Sequence, residues 1–193
     1  SSRALWMAEE CGIPYEHEDL TRYPTMDAKS AAVREINPIG KIPVLTDGDF
    51  TLSESMAINL YLAKKYGRHL WPTGEQEQAR VLQWSFFGVT ELDPPLVQLM
   101  IERTFRKEGE RNVENEKKNA ETVQRPLAAL EGHLATHPWL VGASFSVADL
   151  NVAAVLSMAA GAKQDMTDYP HIQAWLKRCH DRPAYRKATA PKA

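Results

Sequence analysis

The chemistry-bearing residues of this chain are concentrated in residues 37–58, read as N-P-I-G-K-I-P-V-L-T-D-G-D-F-T-L-S-E-S-M-A-I. Pro43 interrupts a β-branched run. Proline has no N–H to give a strand ladder, and X-Pro is the one peptide bond whose cis form costs only about 0.5–1 kcal/mol. A cis Ile42-Pro43 bond would turn the chain sharply and present the backbone N–H and C=O of Val44 to a cleft. An extended peptide can pair with such groups as an added strand. A few residues on, Ser53-Glu54-Ser55 opens an apolar helical period through Met56, Ile58, Leu60, Leu62 and Ala63. A helix start carries free N–H groups and a partial positive charge, which suits a carboxylate, and Glu54 beside it can hold an ammonium. The ligand so implied is a small peptide with a free amino-acid head. The candidate binding set is Lys41, Ile42, Pro43 and Val44 on the loop, with Glu54 and Ser55 at the helix start. Taken singly, each of these has a purely structural reading, since proline punctuates turns and serine before a helix is a cap contributing about 1 kcal/mol.

The elements that must position this set are legible on either side of it. Residues 3–11 are helical in character and end at Gly12. Residues 14–20 alternate weakly and predict a strand. Residues 27–36 predict a second helix, capped by Asp27 and stopped at Asn37-Pro38. Residues 42–46 and 50–52 flank Asp47-Gly48 as a hairpin, and a third helix is expected over 54–66. A right-handed βαβ unit needs a strand before the first helix, so a first strand is expected upstream of Ser1.

The strand signals stop before residue 68. The rest predicts helices alone, which reads as two domains: an α/β domain over 1–68 and an all-helical one over 75–193, joined by a linker. In residues 75–92, Val81, Leu82, Trp84, Phe87 and Val89 give an amphipathic helix. Trp84, Phe86 and Phe87 either pack in its core or line an apolar pocket facing the first domain. Asp93-Pro94-Pro95 should break or kink that helix before it resumes through Phe105. Residues 108–119 are charged and read as a solvated helix start. Val123, Leu127, Leu130 and Leu134 form one buried face, with a kink expected at Pro126.

Ser146 and Asp149 have capping-box spacing, and Phe145 with Leu150 has the spacing of a hydrophobic staple. The run that follows is apolar on almost every face, so its helix should be central. A helix at 170–179 and a short one after Arg182-Pro183 close the chain.

Composition narrows the function. The chain has 193 residues, 44% of them hydrophobic, and a formal net charge of −2. Nothing in that balance suits nucleic acid or an anionic membrane as the main partner, and no apolar run approaches the ~20 residues of a membrane span. Two cysteines, Cys11 and Cys179, with no Cys-x-x-Cys, fit a reducing cytoplasm. His133 and His137 have helical metal-ligand spacing but no third ligand nearby, so no metal is expected. Adjacent on a helix, Cys179 and His180 face apart and make a poor dyad.

The ordered combination resembles the glutathione S-transferase family, in its soluble, bacterial-type, two-domain form. Its thioredoxin-like N-terminal domain carries a cis-proline loop and a Glu-Ser pair opening its third helix. R-A-L-W-M-A-E-E-C-G-I-P-Y-E is similar to that domain's first helix and second strand. The Ser-x-x-Asp box, and Y-P-H-I-Q-A-W-L-K-R-C-H-D-R-P-A-Y near the end, resemble parts of the helical domain. The resemblance covers nearly all of the chain. It implies a thioredoxin-like domain with its first strand missing, followed by an all-α domain, and a cytoplasmic homodimer. It also implies glutathione as co-substrate with no further cofactor, and conjugation of its thiolate to a small electrophile. The family's thiol-activating Ser, Tyr or Cys falls, on this alignment, upstream of Ser1, which leaves Ser1 and Ser2 as helix caps. A non-catalytic binding module on the same fold, and a glutathione-dependent isomerase, dehalogenase or peroxidase, are the alternatives.

Overall fold

In a computed structural model that describes residues 2–190, the chain begins with helix α1 (Ser2–Cys11) and a 3-10 turn at Leu20–Arg22. Helix α2 (Met26–Ile36), strands β1 (Val44–Asp47) and β2 (Phe50–Ser53) and helix α3 (Ser55–Lys65) follow. Residues 66–74 form no regular element. Then come α4 (Glu75–Phe87), α5 (Asp93–Met100), α6 (Val113–Thr122), α7 (Gln124–Leu134), α8 (Val147–Leu156), α9 (Met158–Gly161), α10 (Pro170–His180) and α11 (Pro183–Thr189). This is a small antiparallel hairpin with helices in the N-terminal domain, followed by an all-helical C-terminal domain.

Several local expectations change on folding. Residues 14–19 form no regular element and join no sheet. A strand exists only where a neighbour takes its backbone hydrogen bonds, and among the described residues the sheet has just β1 and β2. Helix α2 is capped by Thr25, whose side chain accepts the Ala28 N–H at 3.1 Å, so Asp27 lies inside the first turn, where its charge favours the helix dipole.

The hairpin register, Val44↔Ser53 to Asp47↔Phe50, leaves Gly48-Asp49 as the two-residue loop, one position later than predicted. Gly48 takes the positive φ (61°) that such a loop requires. Asp47 stays in the ladder because α3 and the residue after it hold its carboxylate: Tyr61 Oη, Lys65 Nζ and Tyr66 Oη donate to Oδ2 at 2.8, 2.8 and 2.7 Å. Those donors, Lys65 first, depress the Asp47 pKa to about 2.

Of the break or kink expected before Pro94, the break does not occur. A proline lacks an N–H and crowds the carbonyl four residues back. Here a π turn over Gly88–Leu92 widens the ladder and absorbs both defects, so α4 passes into α5 without interruption. A second π turn, Ile101–Phe105, ends the run. At Pro126 the conflict is resolved differently: α6 stops at Thr122, four residues before the proline, and α7 starts at Gln124.

The core is built on α8, all ten of whose residues are buried. Around it lie Trp6 and Met7 from α1, Ile58 and Leu62 from α3, Val81 from α4, Leu127 and Leu130 from α7, and Trp175 from α10. The predicted capping box is present, and it does more than cap. Fully buried Asp149 accepts from Ser146 N (3.0 Å), Ser146 Oγ (2.9 Å), Leu140 N (2.9 Å) and Trp175 Nε1 (2.9 Å). Burial pushes its carboxyl above the ordinary value, and these donors pull it back.

Asp149→Ala therefore strands buried donors as well as removing a cap. It should cost about 2–4 kcal/mol rather than the ~1 kcal/mol of a cap alone, since each unsatisfied buried group costs about 1–3 kcal/mol. Denaturant melts measure this. A loss near 1 kcal/mol would mean that Leu140 and Trp175 find other partners.

Candidate functional site

The loop that leads into β1 is fixed from within. Asn37, buried although it follows α2 in a loop, donates from Nδ2 to the Lys41 carbonyl at 2.8 Å. Its Oδ1 accepts the Ile39 N–H at 3.3 Å, and its carbonyl accepts the Gly40 N–H at 2.7 Å. Gly40 has φ 73°, and a Cβ there would sit 3.3 Å from Arg34 Cγ. Sequence patterning assigns Asn37 no role beyond stopping a helix. The Asn-Pro-x-Gly order is the available signal, because asparagine side chains readily bond backbone two to four residues on.

This staple delivers the chain to Ile42-Pro43, which is cis. Lys41 and Ile42 are exposed, and Pro43 and Val44 half-buried. In a two-residue hairpin the closing pair is hydrogen-bonded and bonded pairs then alternate. Counting back from Asp47↔Phe50 makes Val44↔Ser53 a non-bonded pair, so the Val44 N–H and C=O face away from β2. Val44 sits opposite Ser53, the residue before Glu54. The edge at Val44 and the start of α3 at Glu54 and Ser55 are therefore neighbours, with Lys41, Ile42 and Pro43 just before that edge in the chain.

Glu54 is the strained residue of that corner. It has φ 70° and ψ 115° where the chain turns from β2 into α3, a conformation that costs a non-glycine residue about 1–3 kcal/mol. Its carbonyl accepts the Ile58 N–H at 2.9 Å, the first bond of the helix. Its carboxylate is exposed and makes no cap to α3. The N–H groups of Ser55, Met56 and Ala57 precede any intrahelical acceptor, so the start of α3 offers donors and partial positive charge beside an exposed carboxylate. No sequence signal marks the positive φ, since glycine is the residue it would lead one to expect.

Helix α1 is locked to the helical domain by charge. The Arg3 guanidinium pairs with Asp93 at the start of α5 and lies 3.9 Å from Met158 Sδ. Arg182 makes a two-pronged pair with Glu10 (2.6 and 2.7 Å), whose Oε1 also accepts from Trp6 Nε1 (3.0 Å). Lys187 pairs with Glu9 at 2.7 Å. Ser2 is an exposed first residue of α1, and Ser1 lies outside the described residues.

The cysteines are unsuited to act as nucleophiles. Burial raises the Cys11 thiol to about 11, and fully buried Cys179 is pushed higher still by the same cause. Beside it, the His180 ring is engaged by Ser157 Oγ at 2.9 Å and stacked on Tyr185. His133 and His137 stack ring on ring, 4.3 Å between centroids, and the described residues hold no group of three metal-ligating side chains.

The predicted aromatic stripe separates in space. Trp84 packs on Phe87 and His133, whereas Phe86 is exposed. An open cleft of about 500 Å³ between α3 and α4 is lined by Leu60, Tyr61, Lys64, Trp71, Ala79 and Leu82, and by none of Trp84, Phe86 or Phe87.

Residues 1–65 match the family model described as glutathione S-transferase, N-terminal domain, and residues 92–183 that of the C-terminal domain. The chain is 34% identical over 191 residues to glutathione S-transferase 4 of Zea mays, covering 96% of this chain and 85% of the relative. It is 31% identical to glutathione S-transferase F10 of Arabidopsis thaliana, covering 98% and 92%. Among solved structures, the theta class glutathione S-transferase of Xanthomonas axonopodis pv. citri, with glutathione bound, superposes with a TM-score of 0.85 at 28% identity, covering 99% of this chain and 92% of that one. With a cis-proline loop beside a carboxylate-flanked helix start, a helical domain built on a capping box, and relatives matched over nearly their whole length, the chain belongs to the glutathione S-transferase family.

Proposed function

We propose that this glutathione S-transferase binds glutathione at the corner formed by Lys41, Ile42, Pro43, Val44, Glu54 and Ser55, and conjugates its thiolate to a small electrophile. The observation that carries the reading is Glu54, held in a strained conformation with an uncapped helix start on one side and the open edge of β1 on the other. Glutathione has an amino-acid head, a peptide main chain and a second carboxylate. The head carboxylate suits Ser55 and the first-turn N–H groups of α3, and the head ammonium suits Glu54. The peptide main chain suits the outward backbone at Ile42 and Val44, and the second carboxylate suits the exposed Lys41 ammonium. On this reading residues 1–68 hold glutathione and residues 75–193 complete the protein as a helical domain. No cofactor beyond glutathione enters.

The chemistry is the stabilisation of a thiolate. A free thiol near pKa 8.5 is a few per cent ionised at neutral pH. A hydroxyl donating to the charged sulfur contributes about 1.5–3 kcal/mol, or roughly one to two pKa units. The thiolate then attacks the electrophilic carbon, forming a C–S bond as the leaving group or the π electron pair departs. On this reading the thiol-activating group sits next to the start of α1. The ion pairs at Arg3, Glu9 and Glu10 hold that helix at a fixed position beside the site.

The working form is placed in the reducing cytoplasm, where both cysteines stay as thiols. Among the described residues no helix is long and apolar enough to cross a membrane. Leu82, Phe86 and Val89, exposed at i, i+4 and i+7 on one side of α4 and the turn that continues it, support a homodimer.

Ser55→Ala and Glu54→Ala should each weaken glutathione binding by about 1–3 kcal/mol in calorimetry, with the fold retained by circular dichroism. Unchanged affinity in both folded variants would remove glutathione from this corner. Assay of the full-length protein with glutathione and a generic electrophile should give the thioether conjugate. Binding without turnover would instead make the protein a glutathione-binding module. In light scattering at micromolar concentration the mass should be that of two chains, and a monomer mass would refute the dimer.

A further inference from the structure

The core contains a polar chain that the mechanism does not use. Asn59 of α3 donates from Nδ2 to Asn151 Oδ1 of α8 at 2.8 Å. Asn151 donates in turn to Ser85 Oγ of α4 at 2.9 Å, and Ser85 Oγ donates to the Val81 carbonyl at 2.8 Å. Asn59 and Asn151 are fully buried and Ser85 is 2% exposed. The neighbours on α8 are aliphatic: Val147, Leu150, Val152, Ala153, Val155 and Leu156. The chain is not optimised for stability, because Asn59 Oδ1 is buried with no partner among the described residues. Such an orphan costs about 1–3 kcal/mol, and a buried amide pair adds little over apolar residues of the same size. Polar groups retained in a core at a cost are best explained by what they specify.

What this chain specifies is register. Contacts among Leu, Val and Ala side chains are non-directional, whereas an amide-to-amide hydrogen bond weakens steeply once distance and angle leave a narrow range. Asn59 follows Ser55 by four residues on α3, one turn along the same face. The geometry points to Asn59 and Asn151 as positioning residues for glutathione: their bond fixes α3 against the helical domain and so sets where Glu54, Ser55 and the first-turn N–H groups meet the loop at Val44. This inference rests on the glutathione reading above. It assigns to the helical domain a part in binding the amino-acid head.

The test uses the full-length protein carrying Asn59→Leu and Asn151→Leu together, with the parent and Ser55→Ala as references. Removing both amides at similar volume leaves Ser85 its bond to Val81, so the melting midpoint should equal or exceed the parent's. The glutathione dissociation constant and KM should rise about five- to tenfold, and kcat much less, because a misplacement of well under 1 Å degrades a site whose loss at 1 Å reaches about 100-fold. The KM for the electrophile should stay within about twofold, because the substitutions remove no interaction that binds it. A stable double variant whose glutathione affinity lies within that margin would overturn the inference. So would parallel loss of stability, kcat and both KM values, which marks generic core damage. Should the double variant not fold, Asn59→Ser is measured in the same way: a selective loss of glutathione affinity supports the positioning role, and unchanged affinity or parallel loss overturns it. The Ser55→Ala arm separates the two readings. Weakened binding there with normal binding in the asparagine variants rejects only the positioning role, whereas a parent that does not bind glutathione rejects both.

Discussion

Helix α8 has no side that faces water, and that constraint orders the molecule around it. Ten buried residues can be accommodated only if other helices cover every face, so α1, α3, α4 and α10 are all drawn against one segment from the later part of the chain. The helix must also enter the core without leaving polar groups unpaired. Asp149 meets that need by collecting donors from its own cap, from Leu140 and from Trp175 on α10. One carboxylate thus joins the start of α8, the segment before it and a packed neighbour. The cost of burying it is what makes the arrangement specific.

The same centre reaches the candidate corner through α1 and α3. The N-terminal domain has only a two-stranded hairpin of its own among the described residues, a unit that is marginal when isolated. Its order is supplied by what it leans on. Trp6 and Met7 of α1 and Ile58 and Leu62 of α3 sit in one core with α8. The Leu70 carbonyl, in the segment between the domains, accepts the Val147 N–H at 3.0 Å, which binds the connection to the start of α8. On the outside, Arg3, Arg182 and Lys187 add ion pairs at the two ends of α1. Half-buried pairs with two-pronged geometry fix orientation better than single exposed ones. Strain at Glu54 can persist because the residues on both sides are held, β2 by its ladder and α3 by its buried face.

Much of this was legible in the amino-acid order because it is local. A proline between β-branched residues, Ser-Glu-Ser before an apolar helical period, Ser146 three residues before Asp149, and a run apolar on every face each constrain backbone or burial within a few residues. The structure keeps them: the cis bond, the start of α3, the capping box and the central helix stand where the order of residues puts them. The family's motifs are of this local kind, which is why the corner containing Lys41 to Val44, Glu54 and Ser55 is a candidate site from residue order alone.

What the sequence could not decide depends on partners far along the chain. Residues 14–19 have a strand's alternation but no neighbour in the described sheet, because pairing is a property of two segments. Pro94 was compatible with a break or a kink, and the folded chain continues through a π turn where α4 packs on α8 and α5 on α9. Trp84 and Phe86 look alike in a helical period, yet one packs against His133 of α7 and the other faces out. Asn59, Ser85 and Asn151 read singly as ordinary polar residues, and only folding brings them within hydrogen-bond distance in a core. Backbone preference and periodicity act over a few residues and are written in the order of the chain. The energy of pairing, packing and buried charge arises between segments far apart in that order, and tertiary structure alone decides it.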